Sequence, residues 1–273
     1  MVKLIIEPGR IEKNYWRDLW RFRELFLFLA WRDILVRYKQ TVIGIAWAVL
    51  RPLLLMLVFT VVFNRIARLP SSGNTPYAIL VFAALLPWQF FATAVTECSN
   101  SLVNNSNLIS KVYFPRLIVP SGTVITSLVD FLISFVLLLG VMAWYQYGPD
   151  WHLLTLPLFA LLGSGVAMAF GIWFSALTVR YRDVRYVVPF LAQIGMYVSP
   201  VGFSSSLVPE KWRLLYSLNP MVGVIDGFRW AIMRGETPLY WPGLLVSVVL
   251  MLVVGVSGIH YFRRTEKSFA DVI

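Results

Sequence analysis

Five stretches of this chain contain no Asp, Glu, Lys or Arg: residues 69–96, 131–149, 151–179, 186–209 and 237–262. Uncharged apolar runs of about 18 residues or more read as helices that cross a bilayer. The core of a soluble domain needs no run so long. Composition agrees, since 58% of the 273 residues are hydrophobic and 14% are charged, against roughly 45–50% and 25% in soluble domains. The sequence therefore predicts an all-α, polytopic membrane protein. It excludes a soluble enzyme and a nucleic-acid-binding module.

The hydropathy pattern places six spans, at about 42–63, 76–98, 118–144, 154–178, 186–203 and 241–262. Six crossings put both termini on one side. Of the 24 Lys and Arg residues, that side holds 18, leaving Arg65, Arg68, Lys211, Arg213, Arg229 and Arg234 on the other. Basic residues concentrate in cytoplasmic loops, so both termini are expected in the cytoplasm. The net charge of +10 is thus a topology signal. The chain divides into a cytoplasmic N-terminus (1–41), a six-span domain (42–262) and a cytoplasmic tail (263–273). A loop at 99–116 faces the cytoplasm, and a segment at 204–240 lies outside. Charge-rich residues at the N-terminus, with no small-residue cleavage pattern after the first apolar stretch, predict no cleavable leader. The single Cys98 permits no internal disulfide and no Cys-based metal site.

Leu27, Ala30, Trp31, Ile34, Leu35 and Tyr38 recur at helical spacing, while Arg32, Asp33, Arg37 and Lys39 take other faces. This pattern predicts an amphipathic helix lying in the headgroup layer. It serves as a topological anchor or borders an entrance for amphiphilic cargo. In the fourth span Gly163, Ala167, Gly171 and Ser175 form a small-residue stripe suited to close helix packing, within the chain in preference to a dimer contact. Outside, Pro209 opens one short helix, and Asn219 followed by Pro220 opens another running to about Met233. Both are too short to cross, so they form a re-entrant hairpin between spans five and six, or lie on the surface.

The chemistry is notable for what it lacks. No two acidic residues lie within four positions of each other, and His152 and His260 fall on opposite sides. Neither paired-carboxylate catalysis nor a zinc site fits. No Gly precedes a Lys, so no phosphate-binding loop of the Gly-x-x-x-x-Gly-Lys type is present. If ATP drives this protein, another chain binds it. Asp130 falls deep in the third span and Arg51 inside the first. An ionisable group at such depth is a functional candidate by default, and the two are expected to pair or to face one hydrated cavity. Glu97 lies near the inner end of the second span, in reach of the interface. Trp47, Phe59, Phe63, Trp88, Tyr197 and Phe203 offer ring faces along which a sugar could slide. In the 99–116 loop, Asn104 or Asn105 caps a short helix ended by Pro115. There Leu108, Ile109, Val112 and Tyr113 share a face suited to docking on a partner.

At these residues the chain resembles a known family. Arg37-Tyr-Lys-Gln-Thr-Val-Ile-Gly-Ile-Ala-Trp47, continuing to Arg51-Pro52, is similar to the start of the first span in type 2 ABC-exporter permeases that move polysaccharides. Asn107-Leu-Ile-Ser-Lys-Val-Tyr-Phe-Pro-Arg116 resembles their coupling loop. Ser199-Pro-Val, Leu218-Asn-Pro220 and Asp226-Gly-Phe-Arg229 resemble their re-entrant outer hairpin. The likeness implies a homodimer in the bacterial inner membrane, joined to two copies of a separate ATP-binding subunit that holds ATP and Mg. It implies export of an undecaprenyl-linked polysaccharide such as O antigen or teichoic acid. Carried onto this chain, Leu108, Ile109, Lys111, Val112, Tyr113, Phe114, Pro115 and Arg116 would contact the ATPase. Trp31, Arg37, Tyr38 and Lys39 would stand beside the substrate's entrance, in contact with membrane lipids, and the named aromatics would line the channel.

Two other readings compete. An exporter of a small molecule or drug predicts drug sensitivity on deletion, with the surface glycan intact. A membrane enzyme acting on lipid-linked sugar predicts turnover by the chain alone, and the scattered acids argue against it.

Overall fold

A computed structural model describes residues 15–39, 44–68 and 75–269, and among them the regular structure is helical throughout. The expected domain boundary at 41–42 and residues 40–43 of the first motif lie outside the described residues. The helices are α1 (Tyr15–Arg21), α2 (Arg23–Lys39), α3 (Gly44–Phe59), α4 (Tyr77–Asn104), α5 (Ser106–Lys111), α6 (Ile118–Trp144), α7 (Leu156–Arg180), α8 (Val184–Val198), α9 (Glu210–Tyr216), α10 (Pro220–Ile232) and α11 (Trp241–Thr265). A π-helical turn, Thr60–Ile66, extends α3.

Five helices among the described residues are long and apolar enough to cross a bilayer: α3 with its π-turn, α4, α6, α7 with the turn before it, and α11. They coincide with expected spans one, two, three, four and six. At 1.5 Å per residue α4 is about 42 Å long, well beyond a hydrocarbon layer of about 30 Å. It thus carries the chain past the expected edge at residue 98 and into α5. The fifth expected span is the exception. Helix α8 covers 15 residues, about 22 Å, and the chain leaves helical geometry at Ser199, short of the expected edge at 203.

Helix α4 is the centre of the bundle. Every residue from Tyr77 to Trp88 is buried, with α6, α7, α8 and α10 around it. The small-residue stripe of α7 explains the close fit. Gly163, Ala167, Gly171 and Ser175 are all buried. A Cβ on Gly171 would stand 2.6 Å from Cys98 Sγ of α4, and one on Gly163 would stand 3.2 Å from Val224 of α10. The stripe packs inside the chain.

Helix α10 begins as its sequence predicts. Asn219 accepts a hydrogen bond from the Met221 amide at 3.1 Å, with Pro220 in the first turn. Helix α10 then runs through the core: Met221 to Ile225, and Gly227 to Arg229, are buried. Phe228 meets Phe131, midway along α6, edge to face at 5.9 Å. Helix α9 instead exposes Trp212, Leu214 and Leu215.

Helix α2 forms, and two of its apolar residues pack on protein. Leu29 and Ala30 are its buried residues, while Leu27, Phe28, Trp31 and Leu35 point outward. The cause is a neighbour that periodicity does not show. Helix α6 lies along α2, with Gly122 facing the Ala30 backbone. The apolar residues are thus divided between a protein-facing and an outward surface.

Candidate functional site

The last turn of α2, the start of α3 and the facing sides of α4 and α6 enclose a cavity of about 610 Å³. Arg37 crosses it as a fork. Nη1 donates to Asp130 Oδ2 at 2.6 Å and Nη2 to Glu97 Oε1 at 2.8 Å. Tyr38, the next residue, donates its hydroxyl to the other Asp130 oxygen. Burial, followed by the adjacent Asp130 carboxylate, raises the Tyr38 phenol above its ordinary range and keeps it a donor. Asp130 therefore pairs with Arg37 and not with Arg51, which lines the same cavity beside Trp47 and Pro52. Gln89 also lines it, with a buried Nε2 that has no hydrogen-bond partner. Two guanidinium groups face two carboxylates on an otherwise largely apolar lining, so the charges in the cavity balance. Lys39 and Trp31 are exposed on α2 outside it.

The 104–116 segment makes a six-residue helix, α5. Asn105 occupies the capping position but does not cap. Its side chain instead accepts from Arg32 Nη2 at 2.8 Å and donates to the Ser101 carbonyl at 2.9 Å. Backbone at Val112 is extended, and this divides the face expected to be shared. Ile109 and Phe114 turn inward at 4% exposure each, Leu108 is half-buried and Pro115 is buried. Lys111, Val112 and Tyr113 project outward. Arg116 is drawn back onto the far end of the chain, where its main-chain N–H donates to Glu266 Oε1 at 2.9 Å.

Of the six aromatics, four share one seam. Phe59 stacks on Tyr197 at 6.3 Å and meets Phe63 at 5.4 Å, while Trp88 sits against Gly195 of α8. Phe59 and Trp88 are buried in this seam, whereas Tyr197 is exposed. Phe203 stands near Tyr216, and Trp47 belongs to the cavity.

One anchor was not singled out from sequence. Arg229, 1% exposed, donates from Nη1 to the Phe203 carbonyl at 2.7 Å and from Nη2 to the Val201 carbonyl at 3.0 Å. Nε reaches the Leu80 carbonyl at 3.4 Å. Asp226, one turn earlier, accepts from Ser205 at 2.7 Å. These bonds satisfy the irregular backbone after α8, which could not otherwise be buried. The signal was there in Asp226-Gly-Phe-Arg229, with two charges on one apolar helix.

The model of the family described as ABC-2 type transporter matches residues 24–233 of this chain, from the first turn of α2 to the end of α10. The O-antigen export system permease protein RfbA of Myxococcus xanthus is 29% identical over 260 residues, covering 94% of this chain and 98% of that protein. A protein of the same name from Klebsiella pneumoniae is 27% identical over 259 residues, covering 92% and 95%. The polysialic acid transport protein KpsM of Escherichia coli is 24% identical over 249 residues, covering 89% and 93%. The matched region takes in α2, the cavity, α5, α9 and α10. This chain belongs to the ABC-2 type transporter family.

Proposed function

We propose that this chain is the membrane permease subunit of an ATP-driven exporter that carries a lipid-linked polysaccharide, of O-antigen or capsular type, across the bacterial inner membrane. The observation that carries the reading is the near end-to-end match to permeases named for O-antigen and polysialic acid transport. In this reading two copies of the chain join two copies of an ATP-binding subunit, which supplies ATP and Mg. The chain crosses six times, with α8 as a short fifth crossing and both termini in the cytoplasm. The depth at which Phe228 meets Phe131 supports α10 as the returning arm of a re-entrant hairpin.

The residues then divide the work. Val112 and Tyr113 project toward the ATPase while Ile109 and Phe114 root the segment in the membrane domain. A partner moves this chain only by binding its conformations with different affinity, and the projecting residues are where that difference is felt. The Arg37 fork holds α2 against α4 and α6 at the entrance. The outward rows on α3 and α8, including Leu54, Leu57, Phe190 and Tyr197, supply the surfaces on which two copies enclose a channel.

Purification from the native host tests the assembly. The parent chain is expected to bring down an ATP-binding subunit, and Val112→Asp with Tyr113→Asp to lose most of it. Full retention of the subunit by the double variant would reject the docking assignment.

A further inference from the structure

The two ends of the described chain meet at one carboxylate. Glu266, just past α11, accepts from the Arg116 amide at 2.9 Å and from the Tyr15 hydroxyl at 3.5 Å, both on Oε1. Its own main-chain carbonyl accepts from the Arg116 guanidinium. That guanidinium lies 6.0 Å over the ring of Phe269, which is 1% exposed and packed edge-on to Phe262 at 5.2 Å. Arg263 in turn covers Tyr15 at 4.7 Å. Ile109 and Phe114, the inward residues of the α5 segment, belong to the same apolar cluster as Tyr15, Phe262 and Phe269.

Connectivity alone would let a push on Val112 and Tyr113 act through α4 and α6, to which the segment is covalently joined. The clamp adds two more elements. Glu266 grips the residue at which the segment turns into α6 and belongs to the turn that continues α11, while Tyr15 brings in α1. Helix α11 packs along α7 and α10, so displacement of Arg116 is delivered to the half of the bundle that carries the outer hairpin.

We propose that Glu266, Tyr15 and Phe269 are positioning residues for energy coupling, making the C-terminal turn and α11 a third lever between the α5 segment and the outer helices. The proposal rests on the reading of residues 108–113 as the ATPase contact. Burial of Glu266, which pushes its carboxyl above the usual glutamate value, fits a group held in place by its partners and not by solvent.

The test uses the whole complex in its host. Surface glycan on intact cells is labelled with a membrane-impermeant hydrazide after mild periodate oxidation, and ATP hydrolysis is measured on the complex purified from the same cells. Export per ATP hydrolysed, normalised to the amount of complex, should fall at least fivefold in Glu266→Ala and in Phe269→Ala. Glu266→Gln, which keeps an acceptor for the Arg116 amide, should retain more than half of the parental ratio. An unchanged ratio in both alanine variants would overturn the proposal, and so would a fall that disappears on normalisation, since that marks a purely structural tie. Failure of the underlying reading looks different: the parent complex then contains no ATPase, or Val112→Asp with Tyr113→Asp leaves export intact.

Discussion

Arg37 stands between Glu97 and Asp130, 2.8 Å from one carboxylate and 2.6 Å from the other. It thereby ties the last turn of α2 to the inner part of α4 and the middle of α6. All three side chains keep some solvent contact, at 27%, 44% and 30% exposure, so the bond is weaker than a fully buried pair. A double-mutant cycle on Arg37→Ala and Asp130→Ala in purified protein should give a coupling of about 1 kcal/mol. Asp130→Asn, which still accepts from Tyr38, should lose less than Asp130→Ala. Additive single effects would show that the fork contributes nothing as a unit.

Arg229→Met keeps much of the side-chain volume but leaves the carbonyls of Leu80, Val201 and Phe203 without their donor. Each orphaned buried group costs about 1–3 kcal/mol. The variant should fail to give a monodisperse peak in detergent chromatography, or show rapid proteolysis between α8 and α9. A parental profile with normal protease resistance would contradict the anchoring role.

Glycines on the helices should respond with opposite signs. Gly171→Ala forces a methyl against Cys98 and should destabilise by about 1–3 kcal/mol, with Cys98→Gly relieving part of the loss. Gly140→Ala meets nothing within 4 Å. It should be neutral or stabilising by up to about 1 kcal/mol through helix propensity. Thermal unfolding of Gly171→Ala, with and without Cys98→Gly, and of Gly140→Ala decides it, and equal responses at the two sites would refute the packing argument.

Glu266 yields a pH prediction. Burial raises its carboxyl above the ordinary value of 4.5, so the folded state binds the proton more tightly than the unfolded one. The stability it contributes is then complete below 4.5 and is lost as pH rises through the raised value. Glu266→Gln has no such loss. Its melting temperature relative to the parent should climb as the pH is raised above 4.5, and a constant or falling difference would reject the assignment.

Local grammar was legible. The expected spans two, three, four and six became α4, α6, α7 and α11 with edges shifted by a few residues, Asn219-Pro220 opened α10, and the α7 stripe packed where small residues permit. What was not legible depends largely on distant partners. Helix α8 ends at Ser199, which Pro200 drives into extended geometry, and Arg229, 26 residues beyond Phe203, bonds the irregular backbone that follows. Asp130 takes Arg37, 93 residues away, over Arg51, whose placement in the same cavity no spacing rule specifies. The neighbour that buries Leu29 and Ala30 of α2 is α6, which helical period alone does not reveal. Glu266 drew no attention in a polar tail, because its partner Arg116 lies 150 residues earlier.

Export of a finished, lipid-linked glycan by this chain is tested by locating that polymer after deletion of the gene. Immunogold labelling with cell fractionation should find long glycan trapped on the cytoplasmic face and the surface bare, with the parent chain restoring the coat. A surface coat unchanged by deletion, in a strain with no second exporter of this family, would contradict the account.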